Sequence, residues 1–258
     1  MKNLIKRLVR SVGYDIRKYR PSDYIETCVA HYLRTQDINT VVDVGANVGQ
    51  FAETLRAEGY QGHIISVEPL AEAHATLTQT AATDPKWTVA ERMALGSEKG
   101  ETEINRSRNR FSSSLLDILP AHVDAAPDAA YEAKEKIPVQ RLDEMLSTWL
   151  PDNTGPVLLK LDVQGFEDRV LVGAENVWPR IAAVQMELSA VPLYEGQLLY
   201  NDLLDVMHGK GFALYAVWGG FADRRTGRML QFDVLMTRPD ARTAGTADTV
   251  ALVGAQDK

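Results

Sequence analysis

Apolar and polar positions along the chain alternate between two periods. Short β-branched or aliphatic runs at Thr40–Val44, Gly62–Val67, Trp87–Leu95, Val157–Leu161, Arg180–Leu188, Gly211–Val217 and Met229–Thr237 read as strands. Between them lie segments with helical spacing: one from about Gly49 that stops at Gly59, one over Leu70–Ala82, one after Asp162 and one over Gln197–His208. Such βα alternation predicts an α/β domain built on a mainly parallel sheet. A turn at Gly96, Ser97 and Gly100 leads to a short strand at Glu101–Asn105. From Asn105 to Ile137 the pattern weakens around Pro120 and Pro127, and this stretch reads as an inserted lid or substrate loop. Arg106, Arg108 and Arg110 alternate toward Ser112, Ser113 and Ser114; they form either a solvated edge or a set of groups for polar ligand atoms. A late loop with Trp218, Phe221, Arg224 and Arg225 is either an ordinary hairpin or a surface for stacking on a saccharide.

Composition narrows the class. At 258 residues, 45% hydrophobic and 24% charged, the chain can build one sizeable core, so one catalytic domain is expected over residues 38–238. Cys28 is the single cysteine, which excludes an internal disulfide and a cysteine-based zinc site. The net charge of −7 argues against nucleic acid as substrate and leaves small molecules or saccharides. Residues 1–20 depart from this balance, with Lys2, Lys6, Arg7, Arg10, Arg17, Lys18 and Arg20 against Asp15, while Leu4, Ile5, Leu8, Val9, Val12 and Ile16 recur at helical spacing. Within the 1–37 extension this is either an interfacial helix touching anionic membrane or a lipid-linked substrate, or a helix capping the domain or a partner subunit. No apolar run is long enough to span a bilayer and no signal-peptide core is visible, so a cytoplasmic protein is expected, in contact with the inner membrane face under the first reading. Residues 239–258 read as a tail.

The chemistry concentrates at strand ends. Asp43 closes the first strand, Gly45 and Gly49 are read as leaving room for a ligand near the backbone, and Asn47 suits a turn. Glu68 ends the next strand about twenty residues on, where an acid can accept hydrogen bonds from both ribose hydroxyls. The second and third glycines of a dinucleotide turn are replaced by Asn47 and Gln50. Without a pyrophosphate to seat, the turn suits S-adenosylmethionine, whose cationic aminoacyl end favours a carboxylate such as Asp43. Asp162 ends the strand expected to lie directly beside the Asp43 strand and so faces the same crevice. Glu167, in the first turn of the following helix, serves as a cap or in catalysis.

DVGANVGQF at 43–51, VEP at 67–69, SSSL at 112–115, VQRLDEML at 139–146, LKLDVQGFEDRVLVGA at 159–174 and MELS followed by LYEGQ together resemble the FkbM family of S-adenosylmethionine-dependent methyltransferases over residues 38–237. The resemblance implies a class I, Rossmann-like three-layer sandwich whose seven-stranded, mostly parallel sheet has an antiparallel last strand. It further implies O-methylation of a hydroxyl on a sugar, polyketide or other secondary metabolite. By the same resemblance Asp43, Gly45, Asn47 and Gly49 match the cofactor turn, Glu68 the ribose acid and Asp162 the active-site acid. Asp162 and Glu187 are the candidates to take or orient the acceptor proton; alternatively they bind magnesium, although no dedicated metal site is assigned. His31, His63, His74, His122 and His208 fall in no motif, and His122, in the insert, is the exception to watch. A nicotinamide-dependent oxidoreductase and a non-catalytic cofactor-binding scaffold are the competing classes.

Overall fold

The computed structural model describes residues 2–14, 23–151 and 154–239. Its centre is a seven-stranded sheet made of β1 (Thr40–Val44), β2 (His63–Val67), β3 (Trp87–Val89), β7 (Val157–Leu161), β8 (Ile181–Ser189), β9 (Ala213–Gly219) and β10 (Gln231–Thr237). The strand order is β3-β2-β1-β7-β8-β10-β9. β1, β2, β3, β7 and β8 pair in parallel, whereas β10 runs antiparallel to both β8 and β9. This is the class I methyltransferase architecture, and β1 and β7 meet where the strand order reverses.

Successive residues of the central strands point to opposite faces, which separates two cores. On one face Val41, Ile64 and Leu158 pack with α2 (Ile25–Thr35), α3 (Gln50–Ala57) and α4 (Ala71–Ala81) through Val29, Leu33, Leu55 and Leu77. On the other, Val42, Ile65 and Leu159 pack with α6 (Leu142–Trp149), α7 (Glu167–Val172) and α8 (Tyr200–Gly209) through Leu146, Val170 and Met207. Because α2 places Val29, Ala30 and Leu33 fully inside the core, the packed domain begins before Ile38 rather than at it. Helix α1 covers Lys2–Ser11; Ile16, Arg17, Lys18 and Arg20 of the basic start, and residues 240–258 of the expected tail, lie outside the described residues.

Two expectations change. Trp87–Leu95 is not one strand: β3 pairs with β2, while Ala94–Leu95 (β4) leaves the main sheet and pairs with a different strand, β6 (Tyr131–Gln140). β6 also pairs antiparallel with β5 (Gly100–Ser107), so 105–137 is not a lid throughout: its two ends, 105–107 and 131–137, belong to a small three-stranded sheet. Its strand was hidden because Glu132, Lys134, Glu135 and Lys136 crowd it, and only Ile137 and Val139 reach the apolar cluster with Ile104, Ala94 and Leu70. What remains irregular is Arg108–Leu119, followed by the short helix α5 (Pro120–Ala125).

Candidate active site

The turn after β1 is pinned to the end of β2, since the Gly45 and Ala46 amides both donate to the Val67 carbonyl. Gly45 and Gly49 have φ of +78° and +98°, a region L side chains rarely adopt. Their packing is against protein. A Cβ on Gly45 would stand 2.0 Å from the Asp162 carbonyl oxygen, and one on Gly49 would stand 2.8 Å from the Trp87 ring. Gly45 still lines the cavity described below, but Gly49 does not; its space serves the contact with Trp87, which corrects the expectation that both glycines leave room for a ligand.

The cavity opens over the carboxyl ends of β1, β2 and β7 and has a volume of about 230 Å³. Glu68 lies in its wall, only 4% exposed. Its Oε2 accepts the Asn47 amide at 2.8 Å and its Oε1 the Leu70 amide at 2.9 Å. Burial pushes the Glu68 carboxyl up to about 7, partly offset by those two amides. Each oxygen keeps a lone pair beyond the amide it already accepts. Val67, Leu70, Met93, Leu95 and Phe166 give the same region apolar walls.

Asp43 is placed differently from the expectation. It is fully buried, does not line the cavity, and pairs with Lys160 Nζ at 3.0 Å. Lys160, the next-to-last residue of β7, also stands 3.6 Å from Asp162 and lies 5.3 Å from the Phe51 ring. Burial alone would lower its pKa, but the Asp43 and Asp162 carboxylates outweigh this and hold the ammonium above its ordinary value. The charge of Asp43 is therefore answered within the protein. The carboxylate facing the cavity is Asp162, whose side chain is 38% exposed.

Asp162 and Glu187 are brought together by Gln164. The Gln164 Nε2 group donates to Asp162 Oδ1 at 2.8 Å and to Glu187 Oε2 at 2.9 Å, and all three residues line the cavity. Gln231 Nε2 donates to the same Glu187 oxygen at 2.8 Å. Burial first, then the charges of Asp162, Asp233 and Glu167, hold the Glu187 carboxyl well above the usual range, with the Gln164 hydrogen bond opposing them. Asp233 stands opposite Glu187 in the β8–β10 register and is pushed by burial to about 7. Glu167 takes the structural of its two readings: buried, it accepts the Val163 and Gly165 amides and so holds the turn.

The loop residues Arg110, Phe111, Ser113 and Ser114 close another side of the cavity. Ser114 Oγ donates to the Gln164 carbonyl at 2.7 Å, tying the loop to the acid turn. The three arginines are engaged by acids, Arg106 with Glu132 and Glu135, Arg108 with Asp128, and Arg110 with Glu72, so they form an ion-paired edge. Phe221 of the late loop packs against the His122 ring at 5.3 Å. His122 is buried beside Tyr194 and outside the cavity, and burial lowers its pKa to about 4. Among the described residues, no group of three or more His, Cys, Asp and Glu side chains is placed to hold a metal ion.

Sequence reasoning passed over Lys160, the Gln164 side chain, Tyr194 and Gln231. Lys160 alone had a signal: a lysine inside the apolar run VLLKL must find acid partners when buried.

The family model described as the methyltransferase FkbM domain matches residues 43–214. The chain belongs to that family. The match spans the cofactor-type turn, Glu68, the cavity loop, Asp162 and Glu187. A search of curated proteins returned no match. Among solved structures, the chain is similar to the methyltransferase FkbM from Methylobacillus flagellatus KT, with 17% identity over 77% of this chain and a TM-score of 0.45; it spans 44% of that longer chain. It is also similar to an rRNA methylase from Streptococcus thermophilus, with 10% identity over 87% of this chain and 100% of that one and a TM-score of 0.47. Fibrillarin from Aeropyrum pernix, solved with natively bound S-adenosyl-L-methionine, is 14% identical over 90% of this chain and 87% of its own, with a TM-score of 0.46.

Proposed function

We propose that this FkbM-family chain is an S-adenosylmethionine-dependent O-methyltransferase whose acceptor is a hydroxyl on a sugar, glycolipid or secondary metabolite. The observation that carries the reading is the convergence of Glu68, Asp162 and Glu187 on one cavity at the sheet's switch point. The residues present suit the cofactor: Glu68 for the ribose hydroxyls, the Val67, Leu70, Met93, Leu95 and Phe166 walls for a flat base, and Asp162 for a cationic end. When bound, S-adenosylmethionine supplies an electrophilic methyl group.

The protein's own work is to hold the acceptor and manage one proton. As the acceptor oxygen gains the methyl and the carbon–sulfur bond breaks, the hydroxyl proton must leave. Glu187, with its raised proton affinity, accepts it, and Asp162 orients the hydroxyl at the cavity. The two carboxylates are bridged by the Gln164 amide, an arrangement that favours direct proton transfer over a magnesium-bound alkoxide. A cytoplasmic site with membrane contact through residues 1–20 belongs to the same reading, because it would bring a glycolipid hydroxyl within reach. Among the described residues no helix is long and apolar enough to cross a membrane.

Two measurements test the proposal. Calorimetric titration should give binding of S-adenosylhomocysteine and none of NAD; binding of NAD alone would replace methyl transfer with hydride transfer. Labelled methyl should pass from S-adenosylmethionine to an extract of cells lacking the gene, and Glu187→Gln should slow that transfer by about 10²–10⁴-fold, the usual worth of a general base. Cofactor binding with no transfer to any such extract would favour a non-catalytic scaffold.

A further inference from the structure

We infer that Gln164, locked by the hydroxyl of Tyr194, is the positioning residue that sets Asp162 and Glu187 toward the acceptor. The inference rests on the reading of those two carboxylates as the acceptor-facing pair. Its basis is geometric. An amide nitrogen has two hydrogens, and Gln164 spends one on each acid. The opposite face of the amide is fixed by Tyr194, whose hydroxyl donates to Gln164 Oε1 at 2.7 Å. A flipped amide would set its oxygen against two carboxylates, so one orientation is selected.

The clamp is itself held from three directions. Gln164 has a φ of +54°, an uncommon conformation for a side-chain-bearing residue, and its carbonyl accepts Ser114 Oγ from the cavity loop. Tyr194 is 1% exposed and meets the His122 ring edge-on at 5.2 Å. The Leu193 and Tyr194 amides both donate to Gln197 Oε1, which fixes the backbone that carries the tyrosine. A side chain needed only to fill space would not require a polar partner on each of its amide atoms.

Loss of the clamp should change the proton affinity of Glu187, which faces Asp162 from the end of β7, Asp233 from β10, Glu167 from α7 and, beyond Gln164, the Tyr194 hydroxyl. Gln164 opposes these neighbours by donating to the ionised form. Removing the donor raises the midpoint, so a rate that needs ionised Glu187 should lose its acid side at higher pH.

The experiment uses the full chain with ¹³C-carboxyl-labelled glutamate, Glu187→Gln serving to assign the signal. In Gln164→Leu the Glu187 titration should move up by about one pH unit, a tenfold rise in proton affinity. Tyr194→Phe keeps the ring against His122 and should move it in the same direction by less. Labelled methyl transfer to the cell extract should fall about 10²-fold in Gln164→Leu, the scale of a misplaced reacting group, with its acid limb shifted alike, while S-adenosylhomocysteine binding, which also rests on Glu68 and the apolar walls, should fall far less. An unmoved Glu187 titration in both variants overturns the inference, as does unchanged transfer with an unchanged pH profile. If the unsubstituted protein transfers no methyl at all, the methyl-transfer reading fails, while the titrations still decide whether Gln164 clamps the pair.

Discussion

Lys160→Met removes the ammonium that answers Asp43 while keeping most of the side-chain length and volume. In the folded protein Asp43 is 0% exposed and 3.0 Å from that ammonium, so the substitution leaves a carboxylate with no water and no counter-charge. Coulomb attraction at this 3.0 Å separation is about 5 kcal/mol for an effective dielectric of about 20. Truncating one partner of a buried pair costs about 3–5 kcal/mol in measured cases. We therefore expect Lys160→Met to lose about 3–5 kcal/mol near neutral pH, enough to unfold a domain of ordinary stability in part. The loss should depend on pH in a defined direction. Burial holds the folded-state pKa of Asp43 above its unfolded value even with Lys160 opposing it, and losing Lys160 raises it further, so the folded variant keeps the proton to higher pH. Stability relative to the unsubstituted chain then falls as pH rises from the folded-state pKa of Asp43 with Lys160 present toward the higher value without it, by about 1.4 kcal/mol per pH unit. Urea unfolding of both proteins at several values between pH 5 and 8 measures the difference, and groups common to both cancel. Adding Asp43→Asn to Lys160→Met should restore most of the stability, because the orphaned charge is gone. A difference below about 1 kcal/mol, a difference flat with pH, or a double variant no better than the single one would refute the account of a buried pair.

Gly45→Ala should destabilise by about 2–5 kcal/mol in the same urea assay, combining a left-handed backbone with a Cβ driven into the Asp162 carbonyl; an effect under about 0.5 kcal/mol would show that the strand ends can separate at little cost. Glu68→Gln should weaken S-adenosylhomocysteine binding about 10–100-fold by calorimetry, the worth of a charged hydrogen-bond acceptor, and undiminished binding would remove Glu68 from the ribose site. His122 is neutral in the fold and has its pKa lowered by burial to about 4, so its contribution is present above the unfolded value near 6.5 and is lost as pH falls toward 4. His122→Phe should flatten that part of the stability profile, and an unchanged slope between pH 6.5 and 4 would place the acid sensitivity elsewhere. Deleting residues 1–20 should reduce pelleting with anionic liposomes, whereas equal pelleting counts against membrane contact through that segment.

Much of the fold was legible because its strands are short, doubly buried and nearly uninterrupted by charge: β1, β2, β7, β8 and β10 each stand out as apolar runs, and glycine ends the helix after the first of them. The antiparallel last strand is borne out by the pairing of β10 with β8 and β9. Placement of Asp162 beside the Asp43 strand followed from the same logic, and the β1–β7 register agrees with it. The second sheet was not legible. β6 is half exposed and carries alternating charges, and the break between β3 and β4 depends on which distant strand each half pairs with.

By itself the sequence determined the class of the molecule and the set of acids at its strand ends, because periodicity and strand-end chemistry are local properties. Which acid faces the cavity was a tertiary matter. Asp43 and Asp162 look equivalent along the chain, each closing an apolar strand before a small turn, but only packing reveals that Lys160 neutralises the first and leaves the second partly exposed. Gln164 likewise reads as a turn residue until residues 30 and 23 positions away, Tyr194 and Glu187, close on its two amide atoms. Charge compensation and hydrogen-bond direction depend on distances between elements, and those exist only once the sheet has folded.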